Sequence, residues 1–354
     1  MKRAEVFRTA CLAAAITASL APAARAAGSV TLSETGSTLM YPLLRLWAAQ
    51  YRSAFPNVRI TIAPTGSGAG IAQATAGRVQ LGASDAYMTD EQISARPGTL
   101  NIPLAISWQV VTYNVPGLNG AALRLDGPTL AGIYTGKIRS WNDTAIAAMN
   151  PGMKLPDRQI VSVHRSDSSG DSFIFSQYLT YSTDSWEFGP SFGTDIAWPA
   201  IPGALGATSN AAMVKAVAAT PYSLAYVGSS YFREIAAAHL GTASLKNQAR
   251  NFIAASTRTV RLAAAALGER TPEDERLSLV FAPGADSYPL VNYEYAIVSD
   301  KQPNPGTAAA LRGFLLWAID AGKGNDQAAL DPLHFSTLPE DVRALSDAQI
   351  RKIS

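Results

Sequence analysis

The sequence predicts an α/β fold in two lobes with mainly parallel sheets. The chain has 354 residues, of which 47% are hydrophobic and 16% charged, so it can bury a sizeable core and is neither disordered nor fibrous. This length favours two domains, at roughly 100–200 residues for each. Stretches with strand periodicity alternate with stretches of helical periodicity, and this alternation is typical of α/β layers.

The N-terminus, residues 1–26, has the pattern of a secretory signal peptide. A basic start precedes the apolar stretch 10–24, which ends in Ala24-Arg25-Ala26. The small residues indicate cleavage after Ala26. A membrane anchor is the alternative, but a spanning helix needs about 20 apolar residues and this stretch is shorter. The sequence therefore predicts an exported, periplasmic protein.

Charge and cysteine content exclude several classes of function. Removal of residues 1–26 takes four basic residues from 29 and one acidic residue from 27, which leaves a net charge of −1. A nearly neutral chain lacks the basic surface of a nucleic-acid binder, so we expect no nucleic-acid partner. The only cysteine, Cys11, leaves with the signal peptide, so the mature chain is expected to have no disulfide and no thiolate nucleophile.

Hydrophobic periodicity gives the order of the secondary structure elements. The predicted strands are 58–62, 106–115, 160–164, 223–227 and 292–298. The predicted helices are one that opens near Thr38, then 173–180, 210–219, 248–265 and 308–321. The stretch 182–206, with its Pro, Gly and Trp residues, is predicted as a long ordered loop.

Four junctions between strand and helix hold small or acidic polar residues, at 35–38, 65–70, 83–85 and 165–171. Ligands of open α/β sheets bind beyond the carboxyl ends of strands, and helix starts favour anions. The fourth junction adds the guanidinium of Arg165. Hydroxyls, backbone donors, one guanidinium and carboxylates together suit a small, tetrahedral, partly protonated oxyanion.

Other chemistries fit the sequence less well. Gly66-Ser67-Gly68-Ala69-Gly70-Ile71 imitates a dinucleotide fingerprint, but Ile71 stands where the third glycine belongs. The histidines, His164, His239 and His334, are not spaced as metal ligands, and the sequence predicts neither a metal nor a cofactor. An acid/base role for His164 is conceivable, although packing under the loop is favoured.

The junction motifs, in their order along the chain, resemble the PstS family, the periplasmic phosphate-binding proteins of the bacterial phosphate ABC importer. Further matching motifs are Gly132-Ile133-Tyr134, Trp141-Asn142-Asp143, Tyr226 and Asn292-Tyr293-Glu294-Tyr295. The resemblance covers essentially the whole mature chain. It implies a periplasmic binding protein fold, type II-like, with the ligand in the cleft between lobes and hinge strands at 110–114 and 292–296. Lobe I would contain 27–110 plus 293–354, and lobe II 111–292.

The resemblance also implies a set of phosphate ligands. They are Thr38, Leu39, Ser67, Asp85, Arg165, Ser169, Gly170 and Asp171. Asp167 would orient Arg165, and Leu39 would contribute its backbone N–H alone. Asp171 stands where many members of the family have threonine. It is either a second proton acceptor for phosphate or a helix-start residue that faces solvent. With Asp85 and Asp171 both ionised, the site would prefer the monobasic anion.

These observations predict a non-enzymatic, monomeric receptor that captures inorganic phosphate and delivers it to the permease subunits of an ABC importer. One alternative is an exported phosphatase or other phosphoester hydrolase, which needs a nucleophile with a base or a two-metal cluster. The other is a receptor for a different oxyanion such as arsenate. Asp85 argues against sulfate, because its carboxylate accepts a hydrogen bond from P–OH and repels an unprotonated anion.

Overall fold

The structure is a computed structural model that describes residues 29–354; the predicted signal peptide and Cys11 lie outside the described residues. The strands are β1 (Val30–Gly36), β2 (Val58–Pro64), β3 (Leu81–Ser84), β4 (Thr99–Asn114), β5 (Arg124–Leu125), β6 (Val161–Arg165), β7 (Leu205–Ala207), β8 (Ser223–Gly228), β9 (Gly241–Thr242), β10 (Ser244–Lys246), β11 (Phe252–Ile253) and β12 (Val291–Ser299).

The helices connect and cover these strands. They are α1 (Tyr41–Ala54), α2 (Ser67–Thr75), α3 (Asp90–Ala95), α4 (Gly127–Tyr134), α5 (Thr144–Met149), α6 (Gly170–Ser182), α7 (Asp184–Glu187), α8 (Asn210–Ala219), α9 (Phe232–Ala237), α10 (Thr257–Leu267), α11 (Pro305–Ile319), α12 (Gln327–Leu330) and α13 (Glu340–Ile350). None of the helices within residues 29–354 has the length and apolarity of a membrane-spanning helix.

The main sheet of the described chain has nine strands in the order β2-β1-β3-β12-β4-β8-β6-β7, with β9 paired to β4. At one end β1 runs parallel to β2 and β3, and at the other end β6 runs parallel to β7 and β8. In the middle, β12 is antiparallel to β3 and β4, and β4 is antiparallel to β8. The α/β class is confirmed. The sheet is mixed rather than mainly parallel, because the two long central strands run in opposite directions.

Strand β4 belongs to both halves of this sheet. Its first part, Thr99–Trp108, pairs with β12, and its last part, Gln109–Asn114, pairs with β8. The change of partner occurs at Gln109, whose backbone N–H donates to the carbonyl of Leu290 at 3.0 Å. The predicted hinge positions 110–114 and 292–296 therefore fall within two long strands that lie where the halves join.

Several predicted elements have shifted bounds. The helix predicted at 210–219 is α8 with the same bounds, whereas the helix predicted at 248–265 is wrong in its first half, which contains β11. Ser256 and Thr259 form a capping box in which the hydroxyl of Ser256 accepts from the backbone N–H of Thr259 at 3.2 Å. Because such a box fixes a helix start, α10 begins at Thr257.

The start of α1 and the loop at 182–206 also differ from the predictions. The helix predicted to open near Thr38 begins at Tyr41, because the hydroxyl of Ser37 accepts from the backbone N–H of Met40 at 3.0 Å and holds the preceding residues in a turn. The loop contains the short helix α7 and the first residues of β7. Its fully buried Trp186 donates from Nε1 to the carbonyl of Ser191 at 2.7 Å, which orders the loop.

Candidate anion-binding cleft

One wall of the candidate cleft, here called the first wall, consists of Thr38, Leu39, Ser67 and Asp85. Strands β1, β2 and β3 end at Gly36, Pro64 and Ser84, and β1 is parallel to both neighbours. Parallel strands bring their carboxyl ends to one edge of a sheet, so the residues that follow them meet there.

Asp85 is the centre of the hydrogen bonds in this wall. Its Oδ1 accepts from the hydroxyl of Ser37, and its Oδ2 accepts from the hydroxyl of Ser67 at 3.2 Å. The backbone N–H of Asp85 donates back to the Ser67 hydroxyl at 3.1 Å. The side chain is 1% exposed, and this burial raises the pKa of Asp85. The first wall therefore holds a buried carboxylate between hydroxyl groups.

The opposite wall, here called the second wall, consists of Arg165, Asp167, Ser169, Gly170 and Asp171. Arg165 ends β6, and α6 begins at Gly170 behind the N-cap Ser169, whose hydroxyl accepts from the backbone N–H of Ser172 at 3.3 Å. A helix start leaves backbone N–H groups without intrahelical partners and carries partial positive charge. An anion beside Gly170 would be stabilised by both.

Arg165 connects the two aspartates of the second wall. Its Nε and Nη2 donate to the carboxylate of Asp167 at 2.7 and 2.5 Å, and its Nη1 donates to Asp171 Oδ2 at 2.5 Å. These contacts orient the guanidinium, as predicted for Asp167. A guanidinium has five N–H donors, so one on each terminal nitrogen is left for a further acceptor.

Asp171 lies inside the cleft and not at the surface. Its side chain is 1% exposed, so the predicted alternative of a solvent-facing helix-start residue is wrong. In addition to Arg165, Asp171 accepts from Gln109 Nε2 at 2.9 Å and from Asn210 Nδ2 at 2.6 Å. Burial, followed by the nearby charge of Asp85, raises the pKa of Asp171 to about 7, although Arg165 and Asn210 oppose the shift.

The two walls are in contact with each other. A Cβ atom built on Gly170 would lie 2.5 Å from both Asp85 Oδ2 and the Ser67 hydroxyl oxygen. Beside it, the backbone N–H of Gly68 donates to the carbonyl of Ser168 at 3.2 Å. The structure therefore brings the predicted ligands of both walls into one cluster, and their role as phosphate ligands stays a prediction.

Thr38 and Leu39 are joined to the second half of the molecule through backbone and side-chain hydrogen bonds. The hydroxyl of Thr38 accepts from Asn210 Nδ2 at 3.0 Å, and the carbonyl of Leu39 accepts from the hydroxyl of Ser230 at 2.8 Å. The Leu39 side chain is fully buried and packs close to Gly228. This side chain is therefore not available to a ligand, and the predicted contact through the backbone N–H of Leu39 stays a prediction.

Sequence reasoning missed Ser37, Gln109 and Asn210. Ser37 lies within a motif that was recognised, but its contact with Asp85 depends on the pairing of β1 and β3. Gln109 is a large polar residue in a buried strand, and such a residue indicates a position with a specific hydrogen-bonding role. Asn210 follows the N-cap Ser209 at a fifth junction between a strand and a helix. The strand there is β7, whose first residues lie in the stretch that the sequence predicts as a loop.

Outside the cleft, His164 has the packing role that the sequence favours. Its ring stacks on Trp198 with 5.1 Å between centroids, and its Nδ1 lies 3.1 Å from the carbonyl of Arg165. Within residues 29–354, no group of three or more His, Cys, Asp or Glu side chains is arranged to hold a metal ion.

Comparisons with known proteins agree with this description. A family model of the PBP superfamily domain matches residues 21–321. The chain is 31% identical over 321 residues to the phosphate-binding protein PstS of Xylella fastidiosa, across 91% of this chain and 85% of that protein. It is 32% identical over 319 residues to PstS of Pasteurella multocida, across 90% and 89% of the two chains.

A solved structure has a similar fold. The phosphate-binding protein from Stenotrophomonas maltophilia matches with a TM-score of 0.69 and 20% identity, over 90% of this chain and 94% of that chain. This similarity confirms the two-lobe fold that the sequence predicts.

Proposed function

Since the chain belongs to the PstS family of phosphate-binding proteins, within the PBP superfamily, we propose that it is a receptor that captures inorganic phosphate between its two lobes. It delivers the anion to the permease subunits of an ABC importer. The proposal includes export to the periplasm, with cleavage of the signal peptide after about Ala26, and a monomeric state. The two relatives compared above are named as binding proteins, which supports a receptor without catalytic activity.

One observation carries the proposal: a buried carboxylate and a buried guanidinium from opposite walls converge on the same small cluster. Gly170 of the second wall lies against Asp85 and Ser67 of the first wall. Arg165, also in the second wall, is 2% exposed. Phosphate at neutral pH keeps one or two protons and can donate to a carboxylate, whereas sulfate cannot. Asp85 therefore discriminates, while the backbone donors and Arg165 hold the negative charge.

Capture requires that the lobes open and close. We propose that residues 27–110 and 293–354 form lobe I and that residues 111–292 form lobe II. The boundary lies close to the point at which β4 changes partners. Contacts that cross this division, such as Arg276 with Asp90 at 2.7 Å and Ser346 with Glu275 at 2.7 Å, tie residues 275–276 to the first lobe. This short segment would therefore move with lobe I. Paired strands at a hinge permit bending between rigid bodies.

Calorimetry of the mature protein, stripped of bound anion, tests the function. We expect phosphate to bind and sulfate to bind at least about 100-fold more weakly, because an acceptor carboxylate facing sulfate costs several kcal/mol. Arsenate shares the protonation of phosphate, and a titration with arsenate tests that alternative. Hydrolysis of a chromogenic phosphoester, with and without divalent metals, tests the phosphatase alternative. Turnover of the ester, or equal affinity for phosphate and sulfate, would contradict the proposal.

A further inference from the structure

Glu294 is a buried acid at the first wall that no predicted role uses. It lies in the buried strand β12 and is 0% exposed. Strand β12 pairs antiparallel with β3, with Tyr295 opposite Ser84. Extended by one residue, this register places Glu294 opposite Asp85, and contact between the two carboxyl groups shifts the pKa of both.

The two oxygens of Glu294 have different surroundings. Its Oε1 accepts from the hydroxyl of Ser107 on β4 and from Asn292 Nδ2 at 3.1 Å. Its Oε2 has no hydrogen-bond donor among the described residues. A buried carboxylate oxygen without a donor is costly, whereas a carboxylic acid O–H aimed at Asp85 is satisfied.

Two neighbouring buried carboxyl groups cannot both ionise without a large electrostatic cost. Burial and then the charge of Asp85 raise the pKa of Glu294 well above its ordinary value. The same contact lowers the pKa of Asp85, as do Ser37 and the charge of Arg165, against the effect of burial. Asp171 also faces this group of charges from the second wall. These shifts, together with the buried Oε2 of Glu294 that has no donor, favour Glu294 as the carboxyl group that keeps the proton.

We propose that Glu294 is a positioning residue whose protonated carboxyl donates to Asp85, which keeps Asp85 ionised and turned toward the P–OH group of phosphate. This inference rests on the proposed function, because it assigns Glu294 a part in the preference for phosphate over sulfate. Ser37 donates to Oδ1 of Asp85 and Ser67 to its Oδ2, so with Glu294 three donors together fix the orientation of one acceptor.

Two variants of Glu294 test whether its hydrogen-bond donation to Asp85 affects the preference for phosphate over sulfate. Glu294→Gln keeps the volume and an N–H donor, so the ratio of the sulfate Kd to the phosphate Kd should stay within about threefold of wild type. Glu294→Leu removes the donor, so Asp85 takes up a proton more readily and the ratio should fall about tenfold or more. Glu275→Gln is the matched control. Glu275 is a buried acid outside the cleft whose carboxylate accepts from Ser346, and the ratio should not change.

Infrared difference spectroscopy gives a readout that does not depend on the folding of the Leu variant. Wild type at neutral pH should show a protonated carboxyl C=O band that is missing in Glu294→Gln. Absence of that band in wild type, or an unchanged ratio in a folded Glu294→Leu protein, would overturn the inference. If wild type bound neither anion, the proposed function would fail while the band still reported on Glu294, so the two failures are distinguishable.

Discussion

The two walls of the cleft use different chemistry. The first wall surrounds one buried carboxylate, Asp85, with hydroxyl groups and contains no basic residue. The second wall is an ionic network in which Arg165 contacts Asp167 and Asp171. In the first wall neutral hydroxyls donate to a carboxylate, whereas in the second wall a cation donates to carboxylates, through two parallel bonds at Asp167.

This difference indicates a division of roles between the walls. In the proposed receptor, a carboxylate between hydroxyls would distinguish a protonated from an unprotonated anion, while an oriented guanidinium and a helix start would bind any oxyanion. Selectivity should therefore reside in the first wall, and affinity and local stability in the second. Variants in each wall test this division of roles.

The largest effect is expected for Arg165→Gln. The substitution leaves the buried carboxylate of Asp171 and the partly buried carboxylate of Asp167 without their cation, and loss of one partner of a buried ion pair costs about 3–5 kcal/mol. The free energy of unfolding, measured with urea, should fall by about this amount, and phosphate binding should be lost with it.

The control for Arg165 is Arg258→Gln, because Arg258 pairs with Asp286 at 3.0 Å at the surface. An exposed ion pair contributes about 0–1 kcal/mol, so this variant should remain near wild type. Equal destabilisation by the two substitutions would mean that the second wall is not the structural network described above.

Closure of the two walls is tested by Gly170→Ala. The added methyl group would lie 2.5 Å from the oxygens of Asp85 and Ser67, so the walls could not approach as closely. Overpacking of this kind costs about 1–3 kcal/mol, which predicts phosphate binding weaker by about 10–100-fold. Gly120→Ala is the control, because no atom lies within 4 Å of a Cβ at that position. Unchanged binding by Gly170→Ala would show that the walls do not close on the anion.

A smaller effect is expected from the titration of Asp171. Its pKa is raised to about 7, so it loses its proton near neutral pH and then repels an anion. Binding therefore takes up a proton, and the phosphate affinity of wild type should fall by about tenfold more than that of Asp171→Asn between pH 6 and 8. Phosphate itself titrates equally in both proteins, so the difference isolates Asp171. Parallel pH profiles would show that the charge of Asp171 does not affect the bound anion.

The last comparison concerns Glu34, an acid on the strand that leads into the first wall. Burial raises the pKa of Glu34 from 4.5 to about 8, although the backbone N–H of Ala63 opposes the shift. The folded state keeps a proton that the unfolded state has lost, so the contribution of Glu34 to stability falls by about 1.4 kcal/mol per pH unit between these values. In urea unfolding, the loss of stability with rising pH should be smaller by about this amount in Glu34→Gln than in wild type, whereas the exposed Glu187→Gln should match wild type. The same pH dependence in Glu34→Gln and wild type would contradict the burial argument.

Local sequence signals predicted the parts of the fold that depend on neighbouring residues. Helix α8 follows from its own periodicity and cap, and its bounds were correct. The error at 248–265 arose because alanine-rich periodicity extends past the true start, which the capping box of Ser256 and Thr259 determines. The mixed character of the sheet was not predictable from strand periodicity, because strand direction depends on which distant strands pair.

The candidate cleft shows the same limit. Recognised motifs supplied Asp85, Arg165 and Asp171, which the structure brings together. The residues that join the walls, Gln109 and Asn210, come from a central strand and from a helix start distant in sequence, and their hydrogen bonds with Asp171 exist only in the folded chain. Polar residues in apolar strands, as at Gln109, were the one local sign of them.

The most direct measurement of the division of roles compares Asp85→Asn and Arg165→Lys by calorimetry against phosphate and sulfate. Asp85→Asn should lower the ratio of sulfate Kd to phosphate Kd by about tenfold or more, because an amide can donate to sulfate. Arg165→Lys should weaken both anions by similar factors and leave the ratio near that of wild type, since it replaces a forked donor with a point charge. The opposite pattern, with the ratio changed by Arg165→Lys and preserved in Asp85→Asn, would contradict recognition of the anion by its protons at the first wall.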